Sequence, residues 1–231
     1  MRLDKFISQT ANQSRAQSRS LIKSGRVRVN QTRQQNPGFQ IHPSDTVYLN
    51  EKLLSPLKNQ YILLYKPTGY ICSTQDEIYP SALSLLTGVA NSKLHFAGRL
   101  DVDTTGLVLI TDDGQWSHQV TSPRKQCSKT YRVSTKVPLT ELSLESLRQG
   151  VLLQGEKTPT LPAEVILLDE TNILLTIQEG RYHQVKRMLA AVNNRVIALH
   201  REKVGAITLD GLEISQWRHL TSAEIASFMQ K

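Results

Sequence analysis

The sequence predicts an α+β protein in two parts: a small N-terminal module, residues 1–58, and a body, residues 59–231, built on a mixed, mainly antiparallel β-sheet with flanking helices. Three observations carry this. At 231 residues the chain exceeds the usual single-domain size. Its formal net charge of +8 is uneven: residues 1–58 hold ten Lys/Arg against three acids, a net +7, which leaves +1 for the rest. Strand and helix patterns in the body interleave irregularly, unlike the strict alternation of a doubly wound sheet.

The module begins MRLDKFISQT, which lacks the apolar stretch of a secretory signal. Ser14 followed three residues later by Gln17 is a capping-box pattern, and the helix it opens carries Arg15, Arg19 and Lys23 four residues apart, on one face. Gly25 suits its C-terminal cap. Val27-Arg28-Val29 alternates as a strand does, and residues 45–49 offer a partner strand. A row of cations on one helix face matches the phosphate track of structured RNA, with affinity that falls steeply with salt. The competing reading is a basic face that is only solvated. Residues 50–58, with Pro56 and a drop in charge, read as a linker.

The body opens on an apolar strand at 61–65, followed by a Lys66-Pro67-Thr68-Gly69 turn whose proline and glycine fix the backbone. Further strands are expected at 107–110, 129–136, 163–168, 172–177, 195–200 and 206–209. Helices are expected at 81–86, 115–120, 139–149, 183–192 and 221–229. The fourth carries an apolar stripe of Val185, Met188, Leu189 and Val192, and the last opens on the capping pair Thr221 and Glu224.

The most informative stretch is 98–114, GRLDVDTTGLVLITDDG. Its apolar run is bounded by Gly106 and by Asp112-Asp113-Gly114, so Asp101 lies in the loop that feeds a buried strand, a position suited to chemistry but also to simple capping. Residues 124–132 gather Arg124, Lys125, Lys129 and Arg132 around Tyr131 with no acid, the pairing expected where phosphates and a base face are held together. In EGRYHQVKRM, residues 179–188, Lys186 and Arg187 lie off the apolar stripe and are expected to be free to reach an anion.

Several classes are set aside. No apolar run approaches the roughly 20 residues of a membrane span. Cys72 and Cys127 are far apart without a CxxC or Cys/His cluster, which points to a reducing cytoplasm rather than a zinc site or disulfide framework. The six histidines show no ligand spacing, and His183 reads as a structural or hydrogen-bonding residue at a helix start. Asp101, Asp103, Asp112 and Asp113 invite a Mg²⁺ reading, but Asp112-Asp113-Gly114 is more simply a turn.

RLDKFIS and SRAQSRSLIKSGRVRVN resemble the S4 RNA-binding domain. That resemblance implies Arg2, Arg15, Arg19, Lys23 and Arg26 as contacts to structured RNA. KPTG, GRLDVDTTGLVLITDDG, KTYRV and EGRYHQVKRM, in that order, resemble the motifs of RsuA-type pseudouridine synthases, and with the S4-like module the resemblance spans nearly the whole chain. It implies that Asp101 is the essential catalytic residue. Tyr131 would pack on the target base and take part in proton removal, and Lys186 would pair with the aspartate. Lysine stands here where many relatives have arginine, so a bidentate fork is not assumed. Arg99 would help hold the extruded nucleotide, Arg124, Lys125 and Lys129 would offset the roughly few kcal/mol of base flipping through phosphate contacts, and Arg181 and Arg187 would add substrate contacts.

The reaction so implied breaks the N1–C1′ glycosidic bond of uridine, turns the uracil and joins C5 to C1′. It needs no redox step or group donor, hence no cofactor and no metal. An ordinary carboxylate, with pKa about 3.9, is already ionised at neutral pH, so a basic partner serves aim more than ionisation. The implied substrate is structured ribosomal RNA, free or in an assembling small-subunit particle, with uridine 516 of 16S RNA as target, acted on by a monomer. A large-subunit target and a non-catalytic RNA-binding or assembly factor are the alternatives.

Overall fold

The computed structural model describes all residues except Asn12, Pro43, 55–58, 90–92 and 230–231. The chain divides into two compact units, Met1–Lys58 and Asn59–Lys231.

In the first unit, helices α1 (Leu3–Thr10) and α2 (Arg15–Lys23) pack beside a small antiparallel sheet of β1 (Val27–Val29), β2 (Thr32–Arg33), β3 (Val47–Leu49) and β4 (Lys52–Leu54), in the order β2-β1-β3-β4. The capping box forms as the sequence indicates: Ser14 Oγ accepts from the Gln17 amide, and the Gln17 side chain accepts from the Ser14 amide. Leu3, Phe6, Ile7, Ile22, Val27 and Val47 form the core. Two expectations need correction. The strand expected from residue 45 begins at Val47, because the Asp45 carboxylate accepts from the Asn30 side chain and the His42 amide and so shapes a turn. The linker expected at 50–58 starts instead as a hairpin: Asn50 and Glu51 both take positive φ, which matches the strand twist, and β4 then pairs with β3. Pro56 lies outside the described residues.

The row of arginines on α2 has an unforeseen anchor. Asp4 is fully buried, and Arg2 Nη2 (3.1 Å), Arg15 Nη2 (2.9 Å) and Arg19 Nε (3.1 Å) all bind its carboxylate while remaining about half exposed. The hydrogen bond from Arg2 outweighs burial and, with Arg19 and Arg15, holds Asp4 far below the usual carboxylate range. Lys23 and Arg26 are exposed.

The second unit is a nine-stranded sheet. Its strands are β5 (Tyr61–Lys66), β6 (His95–Phe96), β7 (Thr105–Thr111), β8 (Lys129–Thr135), β9 (Glu164–Asp169), β10 (Asn172–Ile177), β11 (Val196–Val204), β12 (Ile207–Thr208) and β13 (Trp217–His219). The main order is β13-β5-β7-β11-β8-β10-β9, with β6 on β7 and β12 on β11; every pairing is antiparallel except β7 with β11. Helices α3 (Gly114–Thr121), α4 (Glu141–Gln149), α5 (Gln184–Ala191) and α6 (Ser222–Ser227) complete it.

Both faces of β5 and β7 are covered, which explains their unbroken apolar runs. Ile62, Leu64, Val108 and Ile110 face the cluster that includes α4 and α5, while Leu63, Leu107 and Leu109 face Trp116 and Val120 of α3. The helix expected at 81–86 is only a 3₁₀ turn, Ala82–Leu85, capped by Ser81. The strand expected at 195–200 runs on to Val204. β6 and β13, too short to show a period, had no sequence signal.

β7 and β11 meet at Gly106 and Arg201. Gly106 has φ +113, and a Cβ there would overlap the Arg201 backbone at under 3.0 Å. Only glycine meets both conditions.

Two predictions follow from these packings. Asp4→Asn removes the anion that gathers three arginines and should cost about 1.5–3 kcal/mol, the range for hydrogen bonds to charged groups. Because the native carboxyl is depressed, this stability is present above the unfolded value near 3.9 and is lost as pH falls below it. Urea unfolding of the full chain, followed by hydrogen exchange in residues 1–54, should therefore separate mutant from wild type at pH 7 and progressively less as pH drops below 4. Gly106→Ala should lower stability by about 3 kcal/mol, read as a reduced urea midpoint for the second unit; an unchanged midpoint would contradict the close approach described.

Candidate active site

Asp101 is held by its backbone. Lys66, the last residue of β5, is fully buried, and its Nζ donates to the carbonyls of Pro67 (2.8 Å), Thr104 (2.8 Å) and Val102 (3.4 Å). Burial pushes its ammonium down from the ordinary lysine value. The Gly69 amide donates to Val102 O, the Thr104 amide to Asp101 O, and the Leu100 amide to Cys72 Sγ. The KPTG turn is thus a clamp on the aspartate loop. The turn's proline and glycine carry a sequence signal for this role, whereas its lysine carries none.

The side chain of Asp101 is met by α5. Lys186 Nζ lies 2.9 Å from Asp101 Oδ2 and 2.6 Å from Asp103 Oδ1, and His183 Nε2 lies 3.3 Å from Asp101 Oδ1. Burial alone would lower the Lys186 ammonium, but its bonds to Asp103 and Asp101 outweigh that and raise it above the usual lysine value. Burial likewise favours the neutral Asp103 carboxyl, and Lys186 overcomes this to hold it below its ordinary value. Lys186 is therefore shared between two carboxylates, Asp103 as well as the Asp101 with which the resemblance paired it.

The rest of EGRYHQVKRM builds the loop that delivers these groups. Glu179 accepts from Arg181, from the Gln184 side chain and from the Leu161 amide. Arg181 also binds Glu156 and the carbonyls of Thr158 and Pro159, and Arg187 binds Glu156 and the carbonyls of Tyr182 and Gln154. The two arginines named as substrate contacts are thus engaged as internal ties. His183 takes φ 48 and forms no side-chain cap; its ring turns to Asp101 and stacks on Tyr182 at 3.8 Å. Tyr182, 72% exposed, was not singled out from sequence.

These segments enclose a cavity of about 430 Å³. Asp101, Tyr131, Lys186, Arg99, Lys129 and Arg181 all line it, so six of the nine residues named for this unit converge. Arg124, Lys125 and Arg187 do not line it; the first two sit on the 3₁₀ turn Pro123–Lys125. Buried Tyr131 supplies one wall. Lys129 is also buried, which lowers its ammonium, and Nζ donates to Cys127 O at 2.7 Å. Arg201, unforeseen, is a further lining residue at 3% exposure.

The four aspartates of the Mg²⁺ reading are split. Asp113 caps α3 and accepts from Tyr61 Oη, and Asp112 accepts from the Gln60 amide. They lie beyond the far end of β7, whose seven residues span roughly 20 Å at about 3.3 Å each, from the Asp101 end. Among the described residues no group of three His, Cys, Asp or Glu is arranged to hold a metal, and no helix is long and apolar enough to cross a membrane.

Residues 60–191 match the RNA pseudouridylate synthase family and residues 1–47 match the S4 domain. The chain is 48% identical over 228 residues to ribosomal small subunit pseudouridine synthase A of Vibrio cholerae, covering 98% of this chain and 99% of that one. It is 49% identical over 229 residues to the protein of the same name from Escherichia coli strain K12, again covering 98% and 99%. A solved structure described as a pseudouridylate synthase matches over 99% of both chains at 46% identity with a TM-score of 0.71. With these matches spanning nearly the whole chain, the chain belongs to the pseudouridine synthase family of RNA-modifying isomerases.

Proposed function

We propose that this protein converts a uridine of small-subunit ribosomal RNA to pseudouridine, with uridine 516 of 16S RNA as the target and Asp101 as the catalytic residue. The observation that carries the reading is the convergence of Asp101, Tyr131 and Lys186, from three distant segments, on one cavity. The relatives that match over their whole length are named for the small ribosomal subunit, which supports the choice of RNA.

A stacked base hides its N1, C5 and C1′, so the nucleotide must leave the stack to enter the cavity. Asp101 then either attacks C1′ or takes a proton from the sugar to give a glycal. Both routes break N1–C1′ and release uracil inside the protein. The uracil turns, C5 bonds to C1′, the C5 proton leaves and N1 gains one. Lys186 and His183 fix the carboxylate by contacts to separate oxygens, and Tyr131 presents its face to the base. Arg99 and Lys129 hold the nucleotide, while the exposed sides of Arg2, Arg15 and Arg19, with Lys23 and Arg26, follow the RNA backbone.

Asp101→Asn should lose activity by about 10²–10⁴-fold or more, read as tritium release from RNA labelled at uridine C5, while RNA affinity in filter binding stays within threefold. Activity retained in this variant would sink the catalytic assignment. Pseudouridine mapping in a strain lacking the protein should show one site missing from small-subunit RNA. A complete small-subunit map with a gap in large-subunit RNA would move the substrate to the other subunit.

A further inference from the structure

Arg201 is a buried cation that neither the motifs nor the mechanism above use. Burying a guanidinium costs several kcal/mol unless its donors are matched, and here they are matched incompletely. Nε donates to Leu107 O at 2.7 Å, but Nη1 reaches Arg99 O and Tyr131 Oη only at 3.4 Å. Nη2 has no acceptor among the described residues, and none of their carboxylates pairs with the group. Lys129, also buried, lies close enough to feel the Arg201 charge. Among the described residues that line the cavity, Asp101 is paired with Lys186, whereas Arg201 and Lys129 are buried without an ion pair.

The missing partner can be identified by following the electrons of the proposed isomerisation, on which this inference rests. When N1–C1′ breaks, the bonding pair stays with uracil and spreads over N1, O2 and O4. Asp101 cannot stabilise that charge, and Lys186 is occupied by two carboxylates. Arg201 lies over the ring of Tyr131, its Cζ 6.0 Å from the centroid, and Nη1 touches the hydroxyl of the same ring. In the proposed reaction the base packs on the same Tyr131 ring that Arg201 contacts. We infer that Arg201 is a catalytic residue that donates from Nη2 to a carbonyl oxygen of the detached uracil. It stabilises charge that is absent from the bound uridine and disappears once C5 bonds to C1′; the guanidinium keeps its protons throughout. A donor aimed at charge that develops only during reaction acts on the chemical step rather than on binding.

Single-turnover tritium release from small-subunit RNA labelled at uridine C5 tests this. Arg201→Gln should slow the step by about 10²–10³-fold with RNA affinity within threefold, and Arg201→Lys should recover part of the rate. A rate within threefold of wild type overturns the inference, and so does an affinity that falls in step with the rate, which would mark a backbone phosphate as the ligand. Because Arg201→Gln also removes the bond to Leu107 O, a second measurement uses wild-type protein on RNA carrying 2-thiouridine or 4-thiouridine at the target. Sulfur makes the pyrimidine a better leaving anion but a poorer acceptor, so one of the two should react more slowly than uridine; both reacting as fast or faster overturns the inference. Wild-type protein that releases no tritium from either ribosomal RNA defeats the isomerase reading itself, whereas an active wild type with an indifferent Arg201→Gln defeats this inference alone.

Discussion

The large sheet is two antiparallel halves joined along one parallel seam, where Thr105 and Gly106 of β7 pair with His200 and Arg201 of β11. The side chains add a bond across it, between Thr105 Oγ1 and His200 Nδ1 at 2.8 Å. On one side lie β5, Lys66 and the loop that carries Asp101; on the other lie Lys129 and Tyr131 of β8. Cavity walls therefore come from both halves, and no part of the site is complete within one. The seam closes because residue 106 has no side chain. A single methyl group there would push apart the two strands whose contact brings the walls together.

Around this seam, charge is sorted by what satisfies it. Among the described residues Lys66 forms no ion pair but spends its donors on carbonyls, which turns a buried cation into a mechanical tie. Arg181 and Arg187 are consumed by Glu179, Glu156 and nearby carbonyls, so much of the basic character of their motif is internal structure. Lys186 is committed to two carboxylates. Among the described buried cations of the cavity wall, Arg201 keeps one donor, Nη2, without an acceptor. Counting cations in the sequence says little about this distribution, because the same residue type serves as tie, aim or donor according to its partners.

The fold was legible where periodicity and capping act locally. The capping pairs Ser14/Gln17 and Thr221/Glu224 formed as their spacing indicated, and the apolar runs of β5, β7 and β10 became central or covered strands. Asp101 and Lys186 were legible only because ordered motifs surround them; local pattern alone allowed a capping aspartate and a solvated lysine. Residues that act through distant partners were not legible. Asp4 counted only as one of three acids in a basic module, yet it gathers two arginines of α2 and the one that precedes α1. Arg201 lies on an inward position of β11, beyond the strand expected to end at residue 200. His183 was read from its place at a helix start, but its left-handed backbone turns the ring toward Asp101.

The buried Asp4 bears on how fast and how tightly the N-terminal unit can engage a polyanion. Three long side chains that would otherwise sample many rotamers are anchored by one end to a common carboxylate, while about half of each stays in contact with solvent. Three positive charges on one negative charge leave a local excess of +2. Rotamer freedom, worth up to about 2 kcal/mol for a long cationic side chain, has in part been surrendered during folding. A polyanion that bound this face would meet cations already fixed in position, so ordering them would subtract less from the binding free energy than on an unanchored surface.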